Sequence, residues 1–178
     1  MQENIQTIYQ KTISFAAQKH GSQKMPTGLP YVVHLSNVAM EVFMTHKKEP
    51  NFNIELAIQL ALLHDVLEDT PLSFKELEDT FGNIVATGVL ALTKNASLDK
   101  KYQMQDSLAR IVKQGKEVAI VKLCDRITNL QKPPLKWDKE KIKKYHLQAF
   151  TIAQALEGKN AYLDNRILGE IKAYTAFF

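Results

Sequence analysis

The 178-residue sequence contains one cysteine, Cys124. A single cysteine excludes an internal disulfide framework and fits the reducing conditions of the cytoplasm. No apolar run approaches the roughly 18 residues that a membrane span requires. The N-terminus lacks the basic and apolar regions of a signal peptide. We therefore expect a cytoplasmic protein that does not enter a membrane.

The sequence also has little that is typical of nucleic-acid binding. It lacks an arginine-rich stripe, an aromatic-plus-basic RNA signature and the Cys/His spacing of a zinc finger. The net charge is only +4, with a pI of about 9.0. The lysine-rich segment 136–144 contains acids as well, which is typical of a solvated helix face. A charge this small can help to attract a phosphorylated ligand and does not by itself indicate nucleic-acid binding.

Apolar residues make up 45% of the chain and charged residues 24%, as in globular proteins. The length predicts one domain, residues 1–178, with a sizeable core. Apolar residues recur at helical spacing throughout, and strand signals are too scarce for a sheet. We expect an all-α helical bundle of about eight or nine helices. The predicted helices are 5–20, 31–47, 53–68, a short helix after Ser73, 81–93, 97–114, 116–130, 138–157 and 160–177.

Two local features refine this prediction. Ser73 followed by Glu76 is the pattern of a capping box at a helix start. Residues 118–123, VAIVKL, have strand propensity, but no partner strand is in sight, so we predict a helix there.

The segment LLHDVLEDT, residues 62–70, places four metal- or proton-binding groups at the end of an apolar run. On a continuous helix His64 and Asp65 lie about 100° apart, near enough to hold one ion. Glu68 lies one turn beyond His64, and Asp69 one turn beyond Asp65. The alternative is a polar helix end that carries ordinary surface acids.

Two more residues on apolar helices strengthen the metal interpretation. His34 lies in the second helix, where a lone histidine is more often a satisfied core residue. Asp125 lies among apolar residues, and a buried carboxylate is costly unless it is paired or metal-bound. Its alternative role is a salt bridge with Lys122 or Arg126. His34 and Asp125, together with His64 and Asp65, predict an octahedral N/O site for one Mn²⁺, Fe²⁺, Mg²⁺ or Zn²⁺ ion. The absence of thiolates argues against a closed structural zinc site.

The order of these residues resembles the H…HD…D signature of the HD-domain metal-dependent phosphohydrolases. Longer blocks resemble the RelA/SpoT-type alarmone hydrolase domain, as found alone in the metazoan Mesh1 group. The blocks are PYVVH, ALLHDVLEDT, FGNIV, LTK and VKLCDRITNL. The resemblance covers roughly residues 5–130 and implies an HD-domain fold for the chain. It also implies hydrolysis of a small phosphorylated nucleotide, (p)ppGpp, at its 3′-pyrophosphate, with release of diphosphate.

The resemblance implies roles for individual residues. A single Mn²⁺ would be bound by His34, His64, Asp65 and Asp125. Glu68 and Asp69 would orient and deprotonate the attacking water, and Asn129 would face the nucleotide. The basic candidates for the substrate phosphates are Lys24, Lys100, Lys122 and Arg126, for which ordinary surface positions are the alternative.

Two departures from the family pattern concern substrate recognition. Met25 and Pro26 stand where alarmone hydrolases carry a basic pair. Gln131 and Lys132 stand where an Arg-Thr pair is more usual. An adenine alarmone such as ppApp is therefore an alternative substrate. A different HD activity, as an NADPH phosphatase or a nucleotidase, is a second alternative. A non-catalytic nucleotide sensor is a third, although a sensor has no need for both acids, Glu68 and Asp69.

Overall fold

The computed structural model describes residues 4–178. The helices in this range are α1 Ile5–His20, α2 Val32–Lys48, α3 Ile54–Leu63, α4 Val66–Asp69, α5 Phe74–Phe81, α6 Asn83–Leu92, α7 Lys100–Val112, α8 Lys116–Asn129, α9 Lys139–Ala155 and α10 Ala161–Tyr174. A 3₁₀ turn, Thr175–Phe177, follows α10. Nine of the helices are longer than a single turn, which confirms the all-α prediction. None of the helices in the described range is long and apolar enough to cross a bilayer.

The core is built around α3, the most apolar helix of the bundle. Its residues 57–58 and 60–63 are buried, and it packs against α1, α2, α6 and α8. On α6, Gly88 faces this helix so closely that an added Cβ would lie 2.6 Å from Leu60 Cδ2. The missing side chain therefore lets α6 pack directly on the core. Since residues 60–63 at the end of α3 are all buried, the helix delivers the next residues to the interior.

Side-chain caps explain where several helices begin. The predicted capping box is present: the Ser73 side chain accepts from the Glu76 amide, and the Glu76 side chain accepts from the Ser73 amide. Asn53, Asp138 and Asn160 each accept a backbone N–H with a side-chain oxygen at the start of α3, α9 and α10. Each such cap stabilises a helix start by about 1 kcal/mol. The segment VAIVKL lies within α8, so the helix prediction is confirmed there.

The prediction of one continuous helix over 53–68 is wrong. The helix α3 ends at Leu63, and His64 and Asp65 form a turn before α4 begins. The ring of His64 donates from Nδ1 to the carbonyl oxygen of Ala61 at 2.8 Å. A side chain that bonds to a nearby carbonyl competes with the helical hydrogen bonds there, which accounts for a break at this point.

Because of the break, the positions of Glu68 and Asp69 relative to His64 and Asp65 are not those of the continuous helix that the sequence analysis assumed. Asp65 has φ −105° and ψ −2°, away from ideal helix geometry. Its carbonyl accepts from the backbone N–H groups of Glu68 at 3.1 Å and Asp69 at 2.9 Å. The turn therefore ties the two acids to Asp65 through the backbone, independently of a continuous helix.

Candidate metal centre and adjoining cavity

Four residues predicted to bind metal come together from three parts of the chain. His34 comes from α2, His64 and Asp65 from the turn after α3, and Asp125 from α8. The Nε2 atoms of His34 and His64 are 3.3 Å apart. Asp65 Oδ2 lies 2.9 Å from His64 Nε2, and Asp125 Oδ1 lies 3.4 Å from His34 Nε2. Two imidazoles and two carboxylates therefore meet at one point.

The spacing suits ligands of one ion. Ligand atoms about 2.1 Å from a common ion lie roughly 3.0–3.4 Å apart at octahedral or tetrahedral angles. The His34–His64 and His34–Asp125 separations of 3.3 and 3.4 Å fall within this interval. One ligand atom from each of His34, His64 and Asp125 lies within 4.8 Å of the others. The donor set of nitrogens and carboxylate oxygens, without a thiolate, fits a divalent cation with sites left open.

Neighbouring groups orient each ligand. Because the Ala61 carbonyl can only accept, His64 carries its proton on Nδ1 and presents Nε2 to the cluster. The Tyr31 hydroxyl donates to Asp65 Oδ2. The pKa of Tyr31 is raised far above its usual range by burial and by the Asp65 carboxylate, so the hydroxyl keeps its proton.

The Asp125 carboxylate is held from its own helix. Lys122 Nζ donates to Oδ2 at 3.1 Å, and Asn129 Nδ2 donates to Oδ1 at 2.6 Å. The predicted alternative, a Lys122 salt bridge, is thus present alongside the two imidazoles. The two interactions are compatible, because the lysine and the histidines contact different oxygens of the carboxylate.

The electrostatics of the cluster favour positive charge at its centre. Burial alone would lower the pKa of His64, but the carboxylates of Asp65 and Asp125 raise it to about 9. Burial would raise the pKa of Asp65, yet the adjacent His64 holds it well below its usual range. For Asp125, Lys122 and the two imidazoles outweigh burial in the same way and lower its pKa. A bound divalent cation would compensate the negative charge of the two carboxylates in place of the proton on His64.

The two acids of α4 are held by different partners. The Glu68 carboxylate accepts from Lys94 Nζ at 2.5 Å and from the Lys94 backbone N–H at 3.0 Å. Asp69 Oδ2 accepts from the side-chain amide of Gln23 at 2.9 Å. The carbonyl oxygen of that amide accepts from His20 Nδ1 at 2.7 Å. Both acids are thus oriented next to the cluster.

A cavity of about 410 Å³ opens over the cluster. Both acids, Tyr31 and all four candidate ligands line it. Other lining residues are Met25, Pro26, Leu92, Lys94, Lys122, Arg126, Asn129, Tyr145 and Gln148. The volume falls in the range of small-molecule sites.

The structure separates the predicted phosphate contacts into three groups. Lys122, Arg126 and Asn129 line the cavity over the cluster. Lys100 lines an adjoining cavity of about 420 Å³, which shares Lys122 and Arg126 with the first. The side chain of Lys24 is exposed and lines neither cavity.

Arg126 has an unusual environment for a charged side chain. It is 9% exposed, and its guanidinium lies 4.1 Å from the ring centroid of Tyr145. Its Nε and Nη1 atoms are buried and have no hydrogen-bond partner. A mostly buried cation that lines a cavity is suited to an anionic ligand.

Sequence reasoning missed three side chains that hold the candidate ligands and acids: Gln23, Tyr31 and Lys94. Two of them lie in blocks that the sequence analysis identified, Tyr31 in PYVVH and Lys94 in LTK. Their partners are 34 and 26 residues away in the sequence, and Gln23 lies 46 residues from Asp69. Contacts over such separations depend on helix packing, so the local pattern gave no signal for the contacts themselves.

Comparisons with known proteins agree with this geometry. Residues 12–157 match the model of the HD domain. The guanosine-3′,5′-bis(diphosphate) 3′-pyrophosphohydrolase MESH1 of Danio rerio is 34% identical over 163 residues, covering 88% of each chain. A pyrophosphohydrolase of the same description from Aquifex aeolicus is 36% identical over 135 residues, which are 72% of this chain and 18% of that protein.

A solved structure extends the likeness to three dimensions. It belongs to a metazoan ortholog of SpoT that hydrolyzes ppGpp, and it superposes with a TM-score of 0.80. The match has 30% sequence identity and covers 93% of this chain and 94% of the other. An HD domain hydrolase with a candidate metal cluster of this kind implies a divalent metal. The chain therefore belongs to the HD domain family, within the group that the MESH1 proteins represent.

Proposed function

We propose that the chain is a Mn²⁺-dependent (p)ppGpp 3′-pyrophosphohydrolase that releases diphosphate and leaves GDP or GTP. One observation carries the proposal: the two acids and the His–Asp cluster face one cavity, in a chain that matches such hydrolases over 88% of its length. The donor set of imidazoles and carboxylates, without a thiolate, is one that Mn²⁺ fits among the divalent ions. We also propose a cytoplasmic location, which the free thiol of Cys124 supports.

The candidate ligands would hold one divalent ion through His34, His64, Asp65 and Asp125. When bound, such an ion lowers the pKa of a water and neutralises charge on the phosphorus. Glu68 and Asp69 orient the attacking water and take up its proton, since both line the cavity next to the cluster. The water oxygen bonds to the phosphorus attached to the ribose, and the P–O3′ bond breaks. The 3′ oxygen leaves as a hydroxyl with the proton that the acids took from the water.

The cations of the cavity would bind the substrate phosphates. Arg126 lines the cavity, and a guanidinium can engage two phosphate oxygens at once. Lys122 lies on the same wall, where its bond to Asp125 also supports the cluster. Asn129 bonds to Asp125, and it would face the nucleotide from there.

The cavity wall formed by Met25 and Pro26 is compatible with either guanine or adenine as the base of the substrate. Both residues line the cavity, and their side chains offer neither a cation nor a hydrogen-bond donor. A wall of this kind can pack on a base without reading its edges. This observation supports ppApp as a second alarmone substrate.

A substrate panel with the purified, manganese-loaded protein tests the function. We expect diphosphate release from ppGpp, and from ppApp if the base is weakly selected. Release of inorganic phosphate from NADPH or a nucleoside monophosphate, without diphosphate release from either alarmone, would replace the proposal with another HD phosphohydrolase activity. Tight alarmone binding without turnover, with every divalent metal tried, would instead indicate a nucleotide sensor.

A further inference from the structure

Lys94 contacts the Glu68 carboxylate with two different groups. Its side-chain Nζ reaches Oε1 at 2.5 Å, and its backbone N–H reaches Oε2 at 3.0 Å. Because one residue contacts both oxygens, it fixes both the position and the plane of the carboxylate. Lys94 lies just beyond the end of α6, so the anchor comes from a part of the chain distant from α4.

The electrostatics of the pair keep the anchor in place. Partial burial lowers the pKa of Lys94, but the hydrogen bond to Glu68 and the charges of the nearby carboxylates together outweigh it and raise the pKa above its ordinary value. Asp65 and Asp125 add to this effect from the cluster. Lys94 is therefore a cation that bonds to Glu68 and also lines the cavity. The second acid differs, because Asp69 is held by the neutral amide of Gln23.

We propose that Lys94 is a positioning residue, which acts on hydrolysis by fixing the orientation of Glu68 rather than by binding substrate. The proposal rests on the proposed function, in which Glu68 orients the attacking water. A carboxylate held at only one oxygen can rotate about that bond, and small misplacements of a reacting group cost up to about 100-fold in rate. Loss of the contact between Lys94 Nζ and the Glu68 carboxylate is thus expected to lower kcat and to change KM little.

The salt bridge is a good target for mutation because it contributes little to folding. The Lys94 side chain is 54% exposed and the Glu68 side chain 25%. Exposed ion pairs typically contribute between zero and about 1 kcal/mol to stability. Lys94→Met removes the Nζ contact but keeps the backbone N–H bond to Oε2, so it changes only the side-chain part of the anchor.

The experiment is a double-mutant cycle of Lys94→Met and Glu68→Gln, with diphosphate release from ppGpp as the assay. We expect Lys94→Met alone to lower kcat by roughly 10- to 100-fold and to change KM by less than about threefold. In the Glu68→Gln background, the same change should have less than about a twofold effect. Lys94→Arg keeps the cation and should restore most of kcat. The control is Lys75→Met, which breaks an exposed pair with Asp79 far from the cavity and should leave kcat unchanged.

Two results would overturn the positioning role. Additive effects in the cycle, or a rise in KM at constant kcat, would show that Lys94 contacts the substrate directly. A crystal structure of Lys94→Met provides a readout that needs no turnover: the Glu68 carboxylate should leave its wild-type orientation while Oε2 keeps its backbone bond. An unmoved carboxylate would refute the proposal even if the wild-type protein proved inactive on alarmones, an outcome that refutes only the proposed function.

Discussion

Replacing Asp125 with alanine should remove the metal without unfolding the chain. Asp125 accepts from Lys122 at 3.1 Å and Asn129 at 2.6 Å, and it faces His34 at 3.4 Å. Its side chain is 12% exposed and that of Lys122 18%, so the substitution strands a mostly buried cation. Breaking such a pair costs about 3 kcal/mol of unfolding free energy in the ion-free protein. Relief of repulsion between Asp125 and Asp65 offsets part of this cost.

The effect on metal binding should be larger than the effect on folding. Changing even a supporting partner of a ligand typically costs 10- to 100-fold in metal affinity, so loss of a ligand should exceed about 100-fold. An ion present at 100 times its dissociation constant stabilises the wild-type protein by about 2.7 kcal/mol. The variant should lose nearly all of this increment.

Elemental analysis after dialysis and thermal melts with and without Mn²⁺ measure these two effects. The variant should contain little metal, and its melting temperature should not respond to added Mn²⁺. Glu68→Gln serves as the matched control, because it removes a neighbouring carboxylate charge that is not a proposed ligand. Full metal occupancy in Asp125→Ala would refute the ligand assignment.

Three further predictions address the acids, the pH response and the core. Combined Glu68→Gln and Asp69→Asn substitutions should keep the metal, by elemental analysis, and lower kcat by at least about 100-fold; persistent turnover would show that the acids were wrongly assigned. Metal binding needs neutral His64, whose pKa is raised from 6.5 to about 9, so calorimetric affinity should rise with pH across this interval. A metal affinity that does not change between pH 6.5 and 9 would contradict the ligand assignment of His64. By the same linkage, the stability that protonated His64 adds to the ion-free protein is complete below pH 6.5 and is lost as pH rises through about 9. Gly88→Ala gains about 1 kcal/mol in helix propensity. It also forces a Cβ to 2.6 Å from Leu60 Cδ2, and such overpacking costs about 1–3 kcal/mol. We therefore expect a net loss of up to about 2 kcal/mol in denaturant melts, and a raised midpoint would contradict the reasoning.

The helices could be predicted from sequence because their determinants are local. Apolar residues at helical spacing, together with the Ser73–Glu76 capping box, placed most boundaries within a few residues of those observed. The break after Leu63 could not be predicted in this way, since the apolar pattern continues through it. It depends on the bond from the His64 ring to a backbone carbonyl, which is visible only in three dimensions.

The site divides along the same line. The candidate ligands could be selected because burying a polar or charged side chain is costly unless it is hydrogen-bonded, paired or metal-bound. They are His34, the His64–Asp65 pair and Asp125. The supporting residues could not be selected: Gln23 and Lys94 are ordinary polar residues in loops, and only packing of α1, α4 and α6 brings them to the acids. Lys24 has a basic side chain similar to that of Lys122, yet it is exposed and outside both cavities.

The order of residues at the turn between α3 and α4 makes the proposed ion binding and the proposed hydrolysis separable in evolution. The histidine and aspartate that open this turn are fixed by the buried helix before it, whereas the two acids depend on the few residues that follow. A one-residue insertion or deletion after Asp65 would redirect both acids and leave His64 and Asp65 in place. Under the proposed roles, a descendant of such a chain loses turnover in a single genetic event and keeps its pair of candidate ion ligands.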